Sequence, residues 1–336
     1  MAEQTSRRVA IVSSLAVIWD WLRFSRAEPY GLAKTDADAG RVYRAALEQF
    51  EELMRAAETA GPPARPLPLF YALSQAARAI VAARGGANHR THGLTVNRDD
   101  QILETVVRPN ANDGQFQVVA EATNSPTISG PVSLGRLIAS LPETADDTEL
   151  KPEWPRAAPV WWVPTHIPVP HWTRVAVVFP DVPITEGDAK RILAKYPTGR
   201  QHLRLITVAG LPSLPLEATP SGRGPIFDVK EPDLAAPEYR VRERRWLRPS
   251  IENDADPPSP LMTWWAVLFT LSMLARYHPV SWVEALNLNT SRVAVTFERV
   301  LRKAVDAVPQ LVFEALADYP VLLQGNATGS GDTPFD

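Results

Sequence analysis

The residues best able to do chemistry lie in two stretches rich in arginine and histidine. In "RGGANHRTHG", running from Arg84 to Gly93, Arg84 and His89 are separated by four residues, and His92 follows three positions later. In "YRVRERRWLRP", from Tyr239 to Pro249, five arginines occur: Arg240, Arg242, Arg244, Arg245 and Arg248. In an extended chain Arg240, Arg242 and Arg244 project from one face and Trp246 continues it, a stripe suited to an anion or a nucleic acid. The same run also reads as a charged edge strand that resists edge-to-edge pairing, and a net charge of -3 favours that reading. The six histidines (His89, His92, His166, His171, His202 and His278) are too scattered to form a metal site by spacing. His166 and His171 bracket "IPVP" and read as a surface-loop pair. Phosphate-loop, dinucleotide-fingerprint, zincin and nucleophile-elbow motifs are absent. Without cysteine there are no disulfides, thiol nucleophiles or thiolate metal sites. The sequence therefore calls for no metal and no cofactor.

The spacing of Arg84 and His89 resembles the R-x4-H pattern of HEPN-type helical ribonucleases. That resemblance implies an arginine and a histidine, His89 or His92, that activate a ribose hydroxyl and stabilise the developing phosphorane without metal, in a toxin or anti-phage setting. Gly85-Gly86 falls inside the spacing, so the two side chains do not share a continuous helix. The competing structural reading has Arg84 offsetting a helix C-terminal dipole, with His89 and His92 on the following turn.

Helical blocks at both ends must position these residues. Spacing predicts helices over residues 5–24, 38–60 and 67–84. The second is stopped by Gly61 and Pro62-Pro63, the third by Gly85-Gly86. From about residue 99, "ILETVVRP", "GQFQVVAEA", "PVWWVPTH", "TRVAVVFP", "LRLITVAG" and "YRVRERRWL" read as strands. Two helices interrupt them, one opened by Ser133 and one by an approximate capping box at Thr185 and Asp188. Ser259-Pro260 opens a helix through Tyr277, which Pro279 stops. Another is expected from Ser291 to about Val308, followed by a short one near "LVFEALADY". The fold expected is α+β: a mainly helical bundle formed by the N- and C-terminal segments, with a strand-containing central region. The divisions expected are 1–98, 99–256, 257–326 packing on 1–98, and a disordered tail at 327–336. "SRRVAIVSSLAVIW" loosely imitates a twin-arginine signal but reads as an amphipathic first helix. The apolar run 261–275 is too short to span a bilayer, so no membrane association and a cytoplasmic location are expected. The ten tryptophans, several in adjacent pairs, read as core.

"WDWLRFSRAEP", "RPLPLFYALSQAARAIVAARGGANHRTHGL" and "LFTLSMLARYHPVSW" resemble, in order, landmark segments of the bacterial YaaC-like proteins. The resemblance implies a cytoplasmic bacterial protein and no catalytic residues to transfer. It also draws His92, Arg276, Tyr277 and Trp282 together as a rim at the helix ends, suited to an anionic, nucleotide-like ligand. Function is thus expected to be that of a non-catalytic module for a partner protein, homo-oligomer or anionic ligand. The alternatives are the ribonuclease and a nucleic-acid-binding subunit of a complex.

Overall fold

The computed structural model describes residues 10–85, 91–110, 114–162, 172–177, 179, 185–210, 223–230, 239–241, 244–252 and 255–323. A short strand β1 (Ala10–Val12) leads into helices α1 (Leu15–Ala27), α2 (Leu32–Thr35), α3 (Ala37–Thr59) and α4 (Pro66–Arg84). The middle opens with β2 (Leu94–Asn97), β3 (Val106–Pro109), α5 (Gln115–Ala122), β4 (Val132–Ser133) and α6 (Leu134–Ala139). It continues with β5 (Ala158–Trp162), β6 (Trp172–Val177), α7 (Glu186–Leu193), α8 (Pro197–His202), β7 (Leu203–Gly210), β8 (Arg223–Lys230), β9 (Tyr239–Val241) and β10 (Arg244–Leu247). The chain closes with α9 (Pro260–Tyr277), α10 (Pro279–Ala285), α11 (Ala294–Ala317) and β11 (Val321–Leu323).

The fold is α+β and mainly helical, and its terminal helices pack together. Helix α9 runs through the centre: every residue from Leu261 to Ser272 is buried, which accounts for its lack of a polar face. Ser259 caps it by accepting from the Met262 amide, and Pro260 occupies its first turn. Helices α3 and α4 form a hairpin, and α4 packs against α9. Asp36 caps α3 through the Ala39 amide, and buried Ala72, Ala76, Ala77, Ala79 and Ala83 let neighbours approach α4 closely. Glu51 on α3 is buried and holds Arg23 and Arg26 of α1 together with Arg55 of its own helix. At Gly31 the φ angle is +54°, and an added Cβ would lie 2.1 Å from the Ala83 carbonyl oxygen, so the chain crosses the end of α4 only as glycine. The two ends meet again where β1 pairs in parallel with β11, Ala10 opposite Val321.

One apolar cluster draws on residues 12–154 and 251–321, and therefore includes β2–β4, α5 and α6 as well as the terminal helices. A second lies within 158–247, on a six-stranded antiparallel sheet of order β7-β8-β6-β5-β10-β9. The Tyr196 hydroxyl donates to the Arg156 carbonyl at 2.6 Å, and the Ser250 amide donates to the Lys195 carbonyl at 2.8 Å.

Four expectations are corrected. "GQFQVVAEA" is helix α5, not a strand. Phe116, Val119 and Ala120 face the core at helical spacing, and the Thr91 and His92 carbonyls accept from the first two amides of the helix. Helix α11 continues through Pro309 as one element. The first helix starts at Leu15, after a strand. "YRVRERRWL" folds back as the β9–β10 hairpin, with Arg245 opposite Arg240, so its arginines do not extend along one strand. The tail 327–336 lies outside the described residues. Among the described residues no helix is long and apolar enough to cross a membrane.

Candidate functional site

The residues singled out by sequence separate into those consumed by the fold and those left at its surface. Arg84, in the last turn of α4, points its guanidinium at the end of α11. Its Nε and Nη2 donate to the Ala315 carbonyl at 3.2 and 2.8 Å, and Nη2 lies 3.3 Å from Asp318 Oδ1. An α-helix leaves its last carbonyls without intrahelical donors, and Arg84 supplies one across 231 positions of sequence. His89, the other half of the R-x4-H spacing, lies outside the described residues. So do Arg242 and the side chains of Arg240 and Arg244. Of the remaining arginines in that run, Arg245 is half-buried in β10 and Arg248 donates to the Pro258 carbonyl.

Trp282 does not belong to a ligand rim. It is 1% exposed, its indole nitrogen donates to the Pro63 carbonyl at 2.9 Å, and its ring meets Phe297 edge-on at 5.2 Å. An indole whose only polar atom is already bonded in the interior locks the α9–α10 corner to the α3–α4 connection.

His92 lies within electrostatic reach of Arg276, and Tyr277 and His278 follow Arg276 directly along the chain. Helix α9 ends at Tyr277, and His278 accepts the chain into α10, whose first residue is Pro279. The His92 ring rests on aromatic neighbours from two helices, Phe70 of α4 at 5.2 Å and Phe269 of α9 at 5.9 Å, while the residue remains exposed at its edge. A close glycine contact sets this placement. Gly93 has φ +81° and packs on Gly114 so tightly that a Cβ on Gly114 would lie 2.0 Å from the Gly93 Cα. Gln117 Nε2 secures the turn by donating to the Gly93 carbonyl at 2.9 Å.

The electrostatics of this lip are unbalanced. Arg276 is exposed, lies over the Tyr277 ring at 5.3 Å, and has no ion pair or side-chain hydrogen bond among the described residues. Burial against the aromatic rings lowers the basicity of His92, and the positive charge of Arg276 lowers it further. A recess of about 240 Å³ opens beside them, lined by Val96, Met273, Tyr277 and His278. Among the described residues no group of three or more histidines and carboxylates is placed to hold a metal ion.

A family model described as YaaC-like protein matches residues 25–316. The chain belongs to the YaaC-like family. The matched range runs from the end of α1 through the last turn of α11, so it includes the whole second apolar cluster, most of the first and the whole α9 lip. No curated protein and no solved structure matches the chain. For this YaaC-like protein, chemistry must be argued from the site itself. The lip offers a permanent cation, two imidazoles and an aromatic ring beside an apolar recess.

Sequence reading missed the apolar continuation of the lip. Val280 and Val283 are 70% and 54% exposed, on the outward side of α10, while Trp282 and Ala285 point inward. The signal was present in "PVSWVEA". Pro279 is a good first helical residue, and once Trp282 is assigned inward the helical period places Val280 and Val283 outward.

Proposed function

We propose that this YaaC-like protein is a non-catalytic interaction module that docks a protein partner on the α9–α10 corner. The supporting observation is the run of Tyr277, Val280 and Val283, each more than half exposed, beside Arg276, which has no ion pair among the described residues. Apolar surface gathered in this way is the kind that partners cover. The adjoining recess, about 240 Å³, falls below the roughly 300–1,000 Å³ of small-molecule sites and suits one large side chain. A comparison of proteins captured from native lysate by the wild type and by a Val280→Asp/Val283→Asp variant tests the reading. Loss of specific bound proteins from the variant is expected, whereas identical captured sets would overturn it.

A second reading has one observation of its own. The charge of Arg276 reaches His92 with no carboxylate paired to it among the described residues, which favours a small phosphate-bearing anion, nucleotide-like in chemistry, between the two. Titration with inorganic phosphate and AMP, followed through the His92 ring signals, separates this from protein docking. The ribonuclease alternative is weakened because Arg84 is engaged with Ala315 and Asp318. Equal RNA cleavage in EDTA by the wild type and His89→Ala/His92→Ala would dispose of it. For the nucleic-acid-binding alternative through Arg240, Arg242, Arg244, Arg245 and Arg248, a flat salt response would have the same effect.

A further inference from the structure

The six-stranded sheet enters and leaves the rest of the chain at one place. Ala158, the first residue of β5, and Leu247, the last of β10, are cross-strand partners in the antiparallel β5–β10 pair. Each connecting strand is fixed to the helical body just outside that pair. On the way in, the Arg156 guanidinium donates to the carbonyls of Ala145, Asp147 and Leu150, and the Ala157 amide donates to the Ala139 carbonyl. On the way out, Ile251 is buried in the first apolar cluster, and the Glu252 carboxylate accepts from the amides of Ser129 and Gly130.

Beyond this stem the sheet keeps its own interior. Among the described residues, the second cluster draws only on 158–247, and the first takes no residue from that range. The seam between them is held at the end of α7, where the Lys195 carbonyl accepts from Ser250 and the Tyr196 hydroxyl donates to the Arg156 carbonyl. Beside these bonds lies a cleft of about 20 Å³, lined by Trp154 and Arg156 of the body and by Ile192, Lys195 and Tyr196 of the sheet unit. That volume suits one water rather than an apolar side chain. The unit touches the body again where β9 lies beside β11. Residues gain and lose protection together when they share a core, and these two units do not share one. An insertion whose ends are held side by side acts, when unfolded, as a long surface loop, and the cost of closing such a loop grows only with the logarithm of its length. We propose that residues 158–247 form an inserted unit that opens and refolds on its own, on this two-strand stem, while the helical body stays folded. On this division β2–β4, α5 and α6 belong to the body.

Segment-resolved hydrogen exchange on the full chain tests it. Phe227 is fully buried within the sheet unit, and Leu271 is fully buried within the body. Phe227→Ala should lower amide protection across 158–247 by about a hundredfold or more, while α3, α4 and α9 stay within about threefold of the wild type. Leu271→Ala should do the reverse, lowering protection in α4 and α9 and sparing β6 and β8. If Phe227→Ala leaves the unit unfolded outright, wild-type protection in α4 and α9 supports the proposal just as well, and Phe227→Leu supplies the graded comparison. Loss of protection in both segments together, whichever core is cut, would overturn it by showing that the chain opens as one cooperative body.

Discussion

Arg84 and Arg276 occupy equivalent places, each in the last turn of a long helix, yet they do different work. At the tip of α4 a second helix terminates alongside, and its carbonyl at Ala315 takes the guanidinium of Arg84. At the tip of α9 no described carboxylate or carbonyl takes Arg276, which lies over the ring of Tyr277 at 5.3 Å. The two positions look alike to any argument from helix dipoles, because a cation in a final turn is favourable in both. What separates them is whether another helix ends there, and that depends on how α4, α9 and α11 pack. A side chain consumed by packing should, when removed, cost stability. One left at the surface should cost binding and little else.

The largest effect on that contrast is expected from Trp282, which the sequence grouped with Arg276 and the structure groups with Arg84. Trp282→Ala removes a fully buried ring from between Pro63 and Phe297, and should cost about 3–5 kcal/mol. Chemical denaturation measures it, with Trp282→Phe falling between that variant and wild type. If Trp282→Ala melted like the wild type but lost its bound partner, the assignment of Trp282 to the core would be wrong.

This mixed outcome shows what a sequence can and cannot carry. The caps at Asp36, Thr185 and Ser259 act within three residues of themselves, and the last two were legible for that reason. The boundaries of α3, α4 and α9 followed from the helical period and from proline and glycine. Helix α5 was misread because its paired valines favour a strand, while the carbonyls that hold its first turn belong to Thr91 and His92, more than twenty residues away. A helix end was expected near Val308, but Pro309 lies in the buried interior of α11, where packing keeps the helix continuous. The convergence of His92 with Arg276 was legible as helix ends sharing one side of a bundle. The exposure of Val280 and Val283 was not, because it depended on which way Trp282 turned.

Next in size is Arg84. Arg84→Ala leaves the Ala315 carbonyl without its donor and should cost about 1–3 kcal/mol. Most of the loss should come from that hydrogen bond, because Asp318 is largely exposed and its ion pair contributes little. A double-mutant cycle with Asp318→Ala checks the division: the coupling should be small. A coupling as large as the whole Arg84 effect would shift the weight from the carbonyl to the carboxylate.

The smallest expected change in stability, and the sharpest test of the comparison, is at Arg276. Arg276→Gln should stay within about 0.5 kcal/mol of wild type, as surface substitutions do. Its effect should appear instead in the titration of His92. In the folded protein His92 gives up its proton more readily than the ordinary value of 6.5, first because of burial on Phe70 and Phe269 and second because of Arg276. The unfolded chain therefore takes up the proton first as pH falls. The stability linked to His92 is fully present above its unfolded pKa and is lost as pH drops through the folded one. Arg276→Gln removes only the second cause, so the His92 midpoint, followed by NMR, should rise part of the way back and the acid-side loss of stability should shrink. A midpoint unmoved by the substitution would mean that burial alone sets the basicity of His92. Arg276 would then be as isolated from His92 as Arg84 is, and the lip would be two unrelated helix ends.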